Sequence, residues 1–448
     1  MITLKNINLS SIDLSGIDLR GIKLGLGGRG GGSGDGFPQL PGDVTRWHFG
    51  GLTNEMMAAM DDPRIEDADH KGRFLSFKNF AWKEGSGISD IYPGALVFDG
   101  VDDYGTCDNF PILTKEKGYT VVALRQWDQD FLNTTLTGGL LSTRNYSTGE
   151  GVAFEKIESS NKGYWNLGAG GIIDFAKSPF TWQTSKQYNN VGILKGDKNH
   201  GKPLCVGCGL SGGQQCGRFA IWELVFLDHD ATEEELTKIK DYFVKTYPWL
   251  FPDQAWTVVG KTNEDEDRAT IANITGNGND LVCLNLGFIE GSGYNEEGEY
   301  AGYLVTDGVD DKITSSTFEM GNDWTVIGDW ELINTGKNDN AGIVKFDSIV
   351  IYNYNPILIN IKNGRNNLIP DQNTVNAICS DGRIYSKDWK ESIYNEETES
   401  TSKNLLTIGY SGNSYTKIAF KNLAIYPTVL SKEDCIKAYN YLQTLKAK

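Results

Sequence analysis

The chain contains the same series of sequence blocks twice, and this duplication limits its fold more than any other feature. "LVFDGVDDYG" at 96–105 returns as "LVTDGVDDKI" at 304–313. The other repeated pairs, in chain order, are "GLTNE" 51–55 with "GKTNE" 260–264, "LSFKNFAWKEGSG" 75–87 with "LVCLNLGFIEGSG" 281–293, "YTVVALRQW" 119–127 with "WTVIGDWEL" 324–332, and 218–243 with 417–442. Because the blocks keep one order, the sequence predicts a tandem duplication, with one copy over 41–252 and the other over 253–448.

Each copy is built mainly from short apolar runs bounded by Gly, Asn and Asp. The runs are rich in Val, Ile, Tyr, Phe and Trp, which is typical of β-strands. Tight turns are predicted at Asp99-Gly100 and Asp307-Gly308, because Gly accepts a positive φ at no steric cost. The predicted fold class is therefore mostly β.

One helix is predicted at the end of each copy. Thr232 with Glu235, and Ser431 with Asp434, have the spacing of capping boxes. Apolar residues follow at helical spacing, namely Leu236, Ile239, Tyr242 and Phe243 in the first copy and Cys435, Ala438, Tyr441 and Leu442 in the second. A run of strands closed by one short helix predicts a two-sheet β-sandwich for each copy.

The charge balance excludes several classes of partner. Lys and Arg number 42 against 59 Asp and Glu, a net charge of −17, which argues against nucleic-acid backbones and anionic membranes. No apolar run of about 18 residues and no basic-then-apolar leader is present, so neither a membrane span nor a Sec-type signal peptide is predicted. The seven cysteines are scattered through apolar runs and predict reduced thiols in a protein made in a cytosol.

Residues 1–24 carry an Ile-x-Leu unit every five residues. Its apolar members are Ile7, Leu9, Ile12, Leu14, Ile17, Leu19, Ile22 and Leu24. The spacing matches pentapeptide repeats, but four units make one coil, and stacked repeats need about three or more units to bury a core. We therefore predict an anchor or oligomerisation segment, with a flexible tail as the alternative. Residues 25–40 are a glycine-rich linker, which behaves as a flexible tether.

Three of the duplicated stretches together carry a family resemblance. "ALVFDGVDDYG", "YTVVALRQW" and the terminal "IWELVFLDHDATEEELTKIKDYF" resemble the laminin-G-like, concanavalin A-like jelly-roll family. Residues 256–294 are similar to a variant found in structural proteins of tailed phages, including crAss-like phages, and of prophages of Bacteroides-type bacteria. The first copy departs from that variant, because it keeps "TNE" but lacks the "GNGND" turn.

The resemblance implies two tandem concanavalin A-like β-sandwich (jelly-roll) domains. They would be laminin-G-like domain 1 over 41–252 and laminin-G-like domain 2 over 253–448. It also implies a virion protein that is made in the cytoplasm of a bacterial host and displayed on the virion surface. A homotrimer is expected, since viral fibres commonly are trimers.

The motifs that would mark catalysis are absent or incomplete. The E-x-D-x-x-E spacing of glucanases does not occur, and "EDEDR" at 264–268 is better explained as a solvated loop. "GDKNHGKP" at 196–203 imitates a phosphate-binding loop but has Pro203 where a hydroxyl residue is required. "CVGC" at 205–208 with Cys216 is a weak zinc pattern, because a second pair is missing. The sequence therefore predicts that the protein is not an enzyme and that it holds no resident cofactor.

Two residue sets remain as binding candidates, each with a structural alternative. Indole rings stack on sugar rings, so the glycan-binding candidates are Trp82, Trp127, Trp324, Trp330 and Trp389, although a Trp in a sandwich more often packs in the core. A Ca²⁺ site is a candidate because hard cations prefer carboxylate oxygens, and its ligands would be Asp99, Asp102, Asp103, Asp307, Asp310 and Asp311. The favoured alternative is that these carboxylates only stabilise tight turns.

The resemblance, together with the N-terminal segment and the glycine-rich linker, implies a phage appendage of head-fibre or tail-fibre type. The N-terminus would attach it to other virion proteins, and the two jelly rolls would bind a host or mucosal glycan by several weak contacts at once. The alternatives are a capsid decoration or cement protein that binds no sugar, and a carbohydrate-active enzyme whose site is not recognised. No nucleic acid and no membrane insertion are expected.

Overall fold

The structure, a computed structural model, describes most of both copies. The described residues are 36–111, 118–143, 153–156, 162–165, 172–174, 180–184, 203–210, 214–333, 342–346, 349–352, 358–361, 367–368, 375–393, 404–411 and 414–447. The predicted anchor 1–24, most of the linker and most of the stretch 196–203 lie outside them. Strands hold 41% of the chain and helices 13%, so the predicted mostly β class is confirmed.

The first copy forms two sheets. Its strands are β1 Val44–His48, β2 Arg64–Glu66, β3 Phe74–Lys78, β4 Gly87–Ile88, β5 Leu96–Asp99, β6 Tyr104–Cys107, β7 Thr120–Trp127, β8 Gly138–Ser142, β9 Ala153–Lys156, β10 Lys162–Trp165, β11 Ile172–Asp174, β12 Phe180–Thr184, β13 Leu204–Val206, β14 Cys208–Leu210, β15 Gln214–Cys216 and β16 Arg218–Leu227. Its helices are α1 Asn54–Ala58, α2 Gln129–Leu132 and α3 Glu233–Thr246. One sheet has the order β12-β7-β16-β5-β4, with β1 on β16, and the other β11-β10-β9-β8-β13-β6-β3-β2.

The second copy repeats this strand order. Its strands are β17 Gln254–Thr257, β18 Thr270–Ile271, β19 Leu281–Leu284, β20 Gly293–Tyr294, β21 Leu304–Val305, β22 Lys312–Phe318, β23 Thr325–Leu332, β24 Gly342–Phe346, β25 Ile349–Tyr352, β26 Leu358–Ile361, β27 Asn367–Leu368, β28 Val375–Cys379, β29 Arg383–Ser386, β30 Glu391–Ile393, β31 Asn404–Ile408, β32 Tyr410–Ser411, β33 Ser414–Tyr415 and β34 Ile418–Tyr426, followed by the helix α4 Lys432–Gln443. The orders are β30-β29-β28-β23-β34-β21-β20, with β17 on β34, and β18-β19-β22-β31-β24-β25-β26-β27. The duplication in sequence is thus a duplication of topology.

Strand β7 shows how each sandwich is covered. Val121 and Ala123 belong to the apolar core between the two sheets of the first copy. Val122 and Leu124 point the other way, into a second apolar cluster. Successive side chains of a strand alternate between faces, so a nearly continuous apolar run such as "TVVALRQW" indicates a strand with both faces buried.

That second cluster joins the two copies. It contains apolar residues of α3, of the 3₁₀ turn Pro248–Leu250, of α4 and of one sheet from each copy. Across it, Tyr441 Oη donates to Gln126 Oε1 at 3.2 Å, and Tyr426 Oη donates to the Trp249 carbonyl at 3.0 Å. The helices that end the two copies therefore share one core with both sandwiches.

The helix starts agree with the capping pattern. The Thr232 hydroxyl accepts from the Glu235 amide at 3.3 Å, and Glu235 Oε2 accepts from the Thr232 amide at 2.8 Å, which is a full capping box. At α4 only half of the predicted box forms: Ser431 Oγ accepts from the Asp434 amide at 3.1 Å, but the hydrogen bonds of the described residues include none from the Ser431 amide to the Asp434 carboxylate. Within the described helices, none is both long and apolar enough to cross a lipid bilayer.

The prediction of reduced cysteines is wrong for one pair. Cys208 and Cys216 form a disulfide, because they lie directly opposite each other in the antiparallel pair β14–β15. This removes two of the three thiolates that the weak zinc pattern required. The other five cysteines are buried and take no part in this disulfide.

Candidate functional site

Three of the five tryptophan candidates for glycan binding lie in the core. Trp127, Trp324 and Trp330 expose 1%, 1% and 0% of their surface. Their rings fill the space between the two sheets of their own sandwich, where no sugar ring can reach them. Their assignment as glycan platforms is therefore corrected to core packing.

The other two tryptophans are half-buried. Trp82 stacks on Phe80 at 5.0 Å between ring centroids, at the edge of the first core. Trp389 packs edge-on against Tyr439 at 5.7 Å, at the border of the cluster that joins the copies. Both rings already have aromatic partners within the protein, and their glycan role stays a prediction.

The carboxylate candidates come together at the turn after β5. Asp99 Oδ1 accepts from the amides of Val101 and Asp102 at 2.7 and 3.3 Å, which closes the tight turn. Asp103 is fully buried. Its Oδ2 accepts from the Asp99 amide at 3.0 Å, and its Oδ1 accepts from Ser86 Oγ at 3.1 Å. We call residues 79–87 and 99–103 the first corner.

The second copy has the same arrangement after β21. Asp307 Oδ1 accepts from the Val309 amide at 2.7 Å. Asp311 is fully buried, and its Oδ2 accepts from both the Asp307 amide and Ser292 Oγ at 2.8 Å. We call residues 285–293 and 307–311 the second corner.

The backbone of the two corners also matches. Asn79 and Asn285 have φ of 69° and 66°, and each donates Nδ2 to a carbonyl of the facing turn, Asp102 or Asp310, at 3.0 Å. Positive φ is uncommon for residues other than glycine, and Asn is among those that tolerate it best. The repeated "N…GSG" spacing is the sequence signal for this shared loop conformation.

The corners offer carboxylate oxygens, the kind of ligand that a hard cation prefers. Each trio of carboxylates, Asp99, Asp102 and Asp103 or Asp307, Asp310 and Asp311, brings oxygen atoms within 4.8 Å of one another. In the second corner, Asp311 Oδ1 is buried and has no hydrogen-bond partner among the described residues. Burial raises the pKa of Asp311. Ca²⁺ takes six to eight oxygen ligands, so each trio would supply part of a coordination shell.

The buried carboxyl of Asp103 predicts a pH dependence of stability. Burial, with the charges of Asp99 and Asp102, raises its pKa from 3.8 to about 6. The folded state then holds this proton more tightly than the unfolded chain, so the free energy of unfolding falls as pH rises from 3.8 to about 6. We expect Asp103→Asn to remove this fall. In a unit of this size, each kcal/mol of free energy of unfolding corresponds to about 2–4 °C in Tm.

The measurement is Tm by calorimetry across that pH range for the wild type and the variant. Asn can still accept from the Asp99 amide and donate to Ser86 Oγ, so the hydrogen bonds of the corner are kept. Asp108→Asn, at an exposed position outside the corner, is the matched control. Parallel pH curves for wild type and Asp103→Asn would show that this carboxyl titrates normally.

Both corners end in an exposed apolar side chain. Val101 and Val309, at the tips of the two turns, expose 73% and 71% of their surface. No packing within the described protein requires a valine at either tip. An apolar side chain flanked by carboxylates, held on the same rigid turn in both copies, is a surface suited to contact with another molecule.

A buried ionic network in the first copy was missed by the sequence analysis. Glu223 is fully buried, and its Oε1 lies 2.8 Å from His48 Nδ1, Tyr242 Oη and Tyr247 Oη. Arg46 Nη1 contacts its Oε2 at 3.3 Å. The sequence signal was Glu223 itself, a lone carboxylate within the apolar strand "IWELVF", since such groups are rarely buried unless paired.

The comparisons with known proteins find weak structural likenesses. No protein-family model and no curated protein matches the sequence. Among solved structures, a sialidase of Trypanosoma rangeli is similar with a TM-score of 0.32 and 8% identity, over 84% of this chain and 67% of that one. A structure described as a receptor binding domain has a TM-score of 0.32 and 12% identity, over 45% of this chain and 53% of that one. The botulinum neurotoxin type G receptor binding domain has a TM-score of 0.27 and 11% identity, over 42% and 50%.

The chain thus spans about two thirds of the sialidase and about half of the receptor-binding domains. The sequence prediction that the protein is not an enzyme is contradicted, because solved sialidases are among the similar structures. A likeness with a TM-score of 0.32 and 8% identity assigns no activity to this chain. The prediction that the protein is not an enzyme is therefore withdrawn, and no enzymatic activity is assigned to the chain.

Proposed function

We propose that the protein is a virion appendage of a tailed phage, of head-fibre or tail-fibre type, that attaches to host-surface or mucosal glycans through its tandem sandwiches. The sequence resemblance to phage structural proteins supports the virion assignment. The fold supports a display role, because two sandwiches joined through one core hold their loops at fixed positions relative to each other.

The observation that carries the adhesion proposal is the repetition of the corner. Each copy offers the same exposed valine, at 73% and 71% exposure, beside a trio of carboxylates. An apolar tip can contact the apolar face of a sugar, and the carboxylates can accept from its hydroxyls. Two weak sites on one rigid chain bind a surface much more tightly than either does alone.

Oligomerisation would multiply this effect. We propose that residues 1–24 form the anchor and hold three chains together, so that six corners face the target. The glycine-rich linker would leave the sandwiches free to reach it. Ca²⁺ at the corners is part of the proposal, because it would neutralise the carboxylates and offer open coordination positions to ligand oxygens.

The test is binding of the full chain to intact Bacteroides-type cells and to a mucin-coated surface, with corner variants. Val101→Ser and Val309→Ser should each weaken binding, and the double variant should lower the apparent affinity by about tenfold or more, since avidity is lost with the second site. Ile393→Ser is the control, because Ile393 is 66% exposed but lies on β30, outside both corners.

In the same assay, a chain that begins at Gly36 and lacks the proposed anchor measures how much trimerisation contributes to binding. It should bind more weakly while keeping its Tm. Equal binding by the wild type and the double valine variant would contradict the corner proposal. No binding to any surface would favour the alternative of a decoration protein that binds no sugar.

A further inference from the structure

A cleft opens where the two copies meet. It has a volume of about 290 Å³, and its walls come from β7 and α3 of the first copy, the connector 250–253, and α4 and the loop 272–280 of the second. Neither copy alone has all of these walls. Small-molecule sites occur preferentially at such junctions, at volumes of about 300–1,000 Å³, so this cleft suits a ligand no larger than a single sugar ring.

One wall of the cleft is a loop that the first copy lacks. Residues 272–280 contain the "GNGND" turn, which is missing from the equivalent part of the first copy. The first copy forms its sandwich without this loop, so the fold does not require it. A loop that departs from an otherwise repeated pattern and lines a cleft is a candidate for binding rather than for folding.

The loop is held rigidly before any ligand arrives. Asn273 is 7% exposed, and its Oδ1 accepts from the amides of Ala255 and Thr275 at 3.2 and 3.1 Å. Thr275 Oγ1 and Asn277 Nδ2 donate to the Asp253 carbonyl at 3.0 and 2.8 Å. The loop and the connector therefore form one fixed wall, which lowers the entropy lost on binding.

The lining combines apolar surface with charged groups that have no ion-pair partner among the described residues. Phe251, Ile274 and Val244 supply apolar surface. The exposed Lys240 ammonium and Asp253 carboxylate supply a donor and an acceptor, and neither takes part in an ion pair within the described part of the chain. Partial burial raises the pKa of Asp253.

This lining matches an uncharged sugar ring better than a charged one. A pyranose has one apolar face and a rim of hydroxyls that both donate and accept. Lys240 and Asp253 carry opposite charges. An anionic ligand attracted by Lys240 would be repelled by Asp253, and a cationic ligand attracted by Asp253 would be repelled by Lys240. A neutral ligand can accept from the ammonium and donate to the carboxylate at once, and such charge-assisted hydrogen bonds are the stronger kind.

We propose that the junction cleft binds one uncharged pyranose unit of a glycan, with its apolar face on Phe251 and its hydroxyls on Lys240 and Asp253. The inference rests on the proposed adhesion function and gives it a third, asymmetric site that selects the sugar. The corners would then supply avidity, and the cleft specificity.

The test uses the full chain and isothermal titration with methyl glycosides of glucose, galactose, mannose, fucose and N-acetylglucosamine, beside N-acetylneuraminic and glucuronic acids as charged probes. At least one neutral glycoside should bind, and Lys240→Met and Asp253→Asn should each weaken it by about tenfold or more. The matched control is Lys238→Met on the same helix, whose ammonium pairs with Glu234 at 2.7 Å. It should stay within about twofold of the wild type.

Four results would overturn the inference. These are unchanged affinity in both cleft variants, loss of affinity in the Lys238 control as well, binding of acidic sugars only, and no binding of any probe at about 10 mM, well above a millimolar Kd. Failure of the adhesion proposal is separate, because it is read from cell and mucin binding. If the cleft variants bind those surfaces as the wild type does, only the cleft is excluded.

Discussion

Arg46→Met should lower the free energy of unfolding of the first copy by about 3–5 kcal/mol, because it leaves a fully buried carboxylate without its cation. Arg46 is 2% exposed and Glu223 is fully buried, and the two side chains are 3.3 Å apart. The remaining partners of Glu223 are two tyrosine hydroxyls and His48, and neither hydroxyl carries a charge to offset that of the carboxylate. Urea unfolding followed by tryptophan fluorescence measures the loss.

Arg64→Met is the matched control for this effect. Arg64 makes the same kind of pair with Asp62 at 3.7 Å, but the two side chains are 53% and 50% exposed. Pairs of this kind are worth about 0–1 kcal/mol. If Arg46→Met cost no more than Arg64→Met, the buried network would not contribute to stability as described.

Trp330→Ala should destabilise the second copy by about 3–5 kcal/mol, the usual cost of removing a buried Trp. Trp330 is 0% exposed and lies in the core between the two sheets of the second sandwich. Calorimetry should show the Tm of the second copy falling, while binding to the target surface at a temperature where the variant is folded stays unchanged.

Trp82→Ala provides the comparison, because Trp82 is half-buried and its loss leaves a smaller cavity. It should cost clearly less stability than Trp330→Ala. A Trp330→Ala chain that keeps its Tm but loses glycan binding would restore the original sequence prediction for this residue and contradict its place in the core.

Local signals in the sequence predicted the local structure well. Asp99-Gly100 and Asp307-Gly308 do form tight turns, with glycine φ of 76° and 78°. The Thr232 and Glu235 pair does cap α3. These features depend on neighbours within a few residues, where the physical cause lies in the sequence itself.

Features set by distant contacts were predicted poorly. Trp127 and Trp330 were candidates for glycan binding, which requires exposed rings, but both are buried in the cores of their sandwiches. Which face of a strand is covered depends on what packs against the sheet, and here both faces are covered. The Cys208–Cys216 disulfide likewise depends on the register of a short hairpin, which the spacing of the cysteines does not show.

The candidate sites show the same difference between features set by near neighbours and features set by distant contacts. The carboxylate trios were predicted, since each lies within five residues of one turn. The junction cleft was not, because it exists only after the helices of both copies have packed together. Its one signal was the "GNGND" turn, visible in the sequence as the place where the second copy departs from the first.

The central claim is that this chain binds carbohydrate on a surface, and a glycan microarray probed with the full chain tests it most directly. We expect binding to a small group of related glycans that end in an uncharged sugar, reduced by Val101→Ser with Val309→Ser and weakened about tenfold or more by Lys240→Met. An array without signal, from protein that is folded by calorimetry, would contradict the claim and leave the decoration protein as the better description.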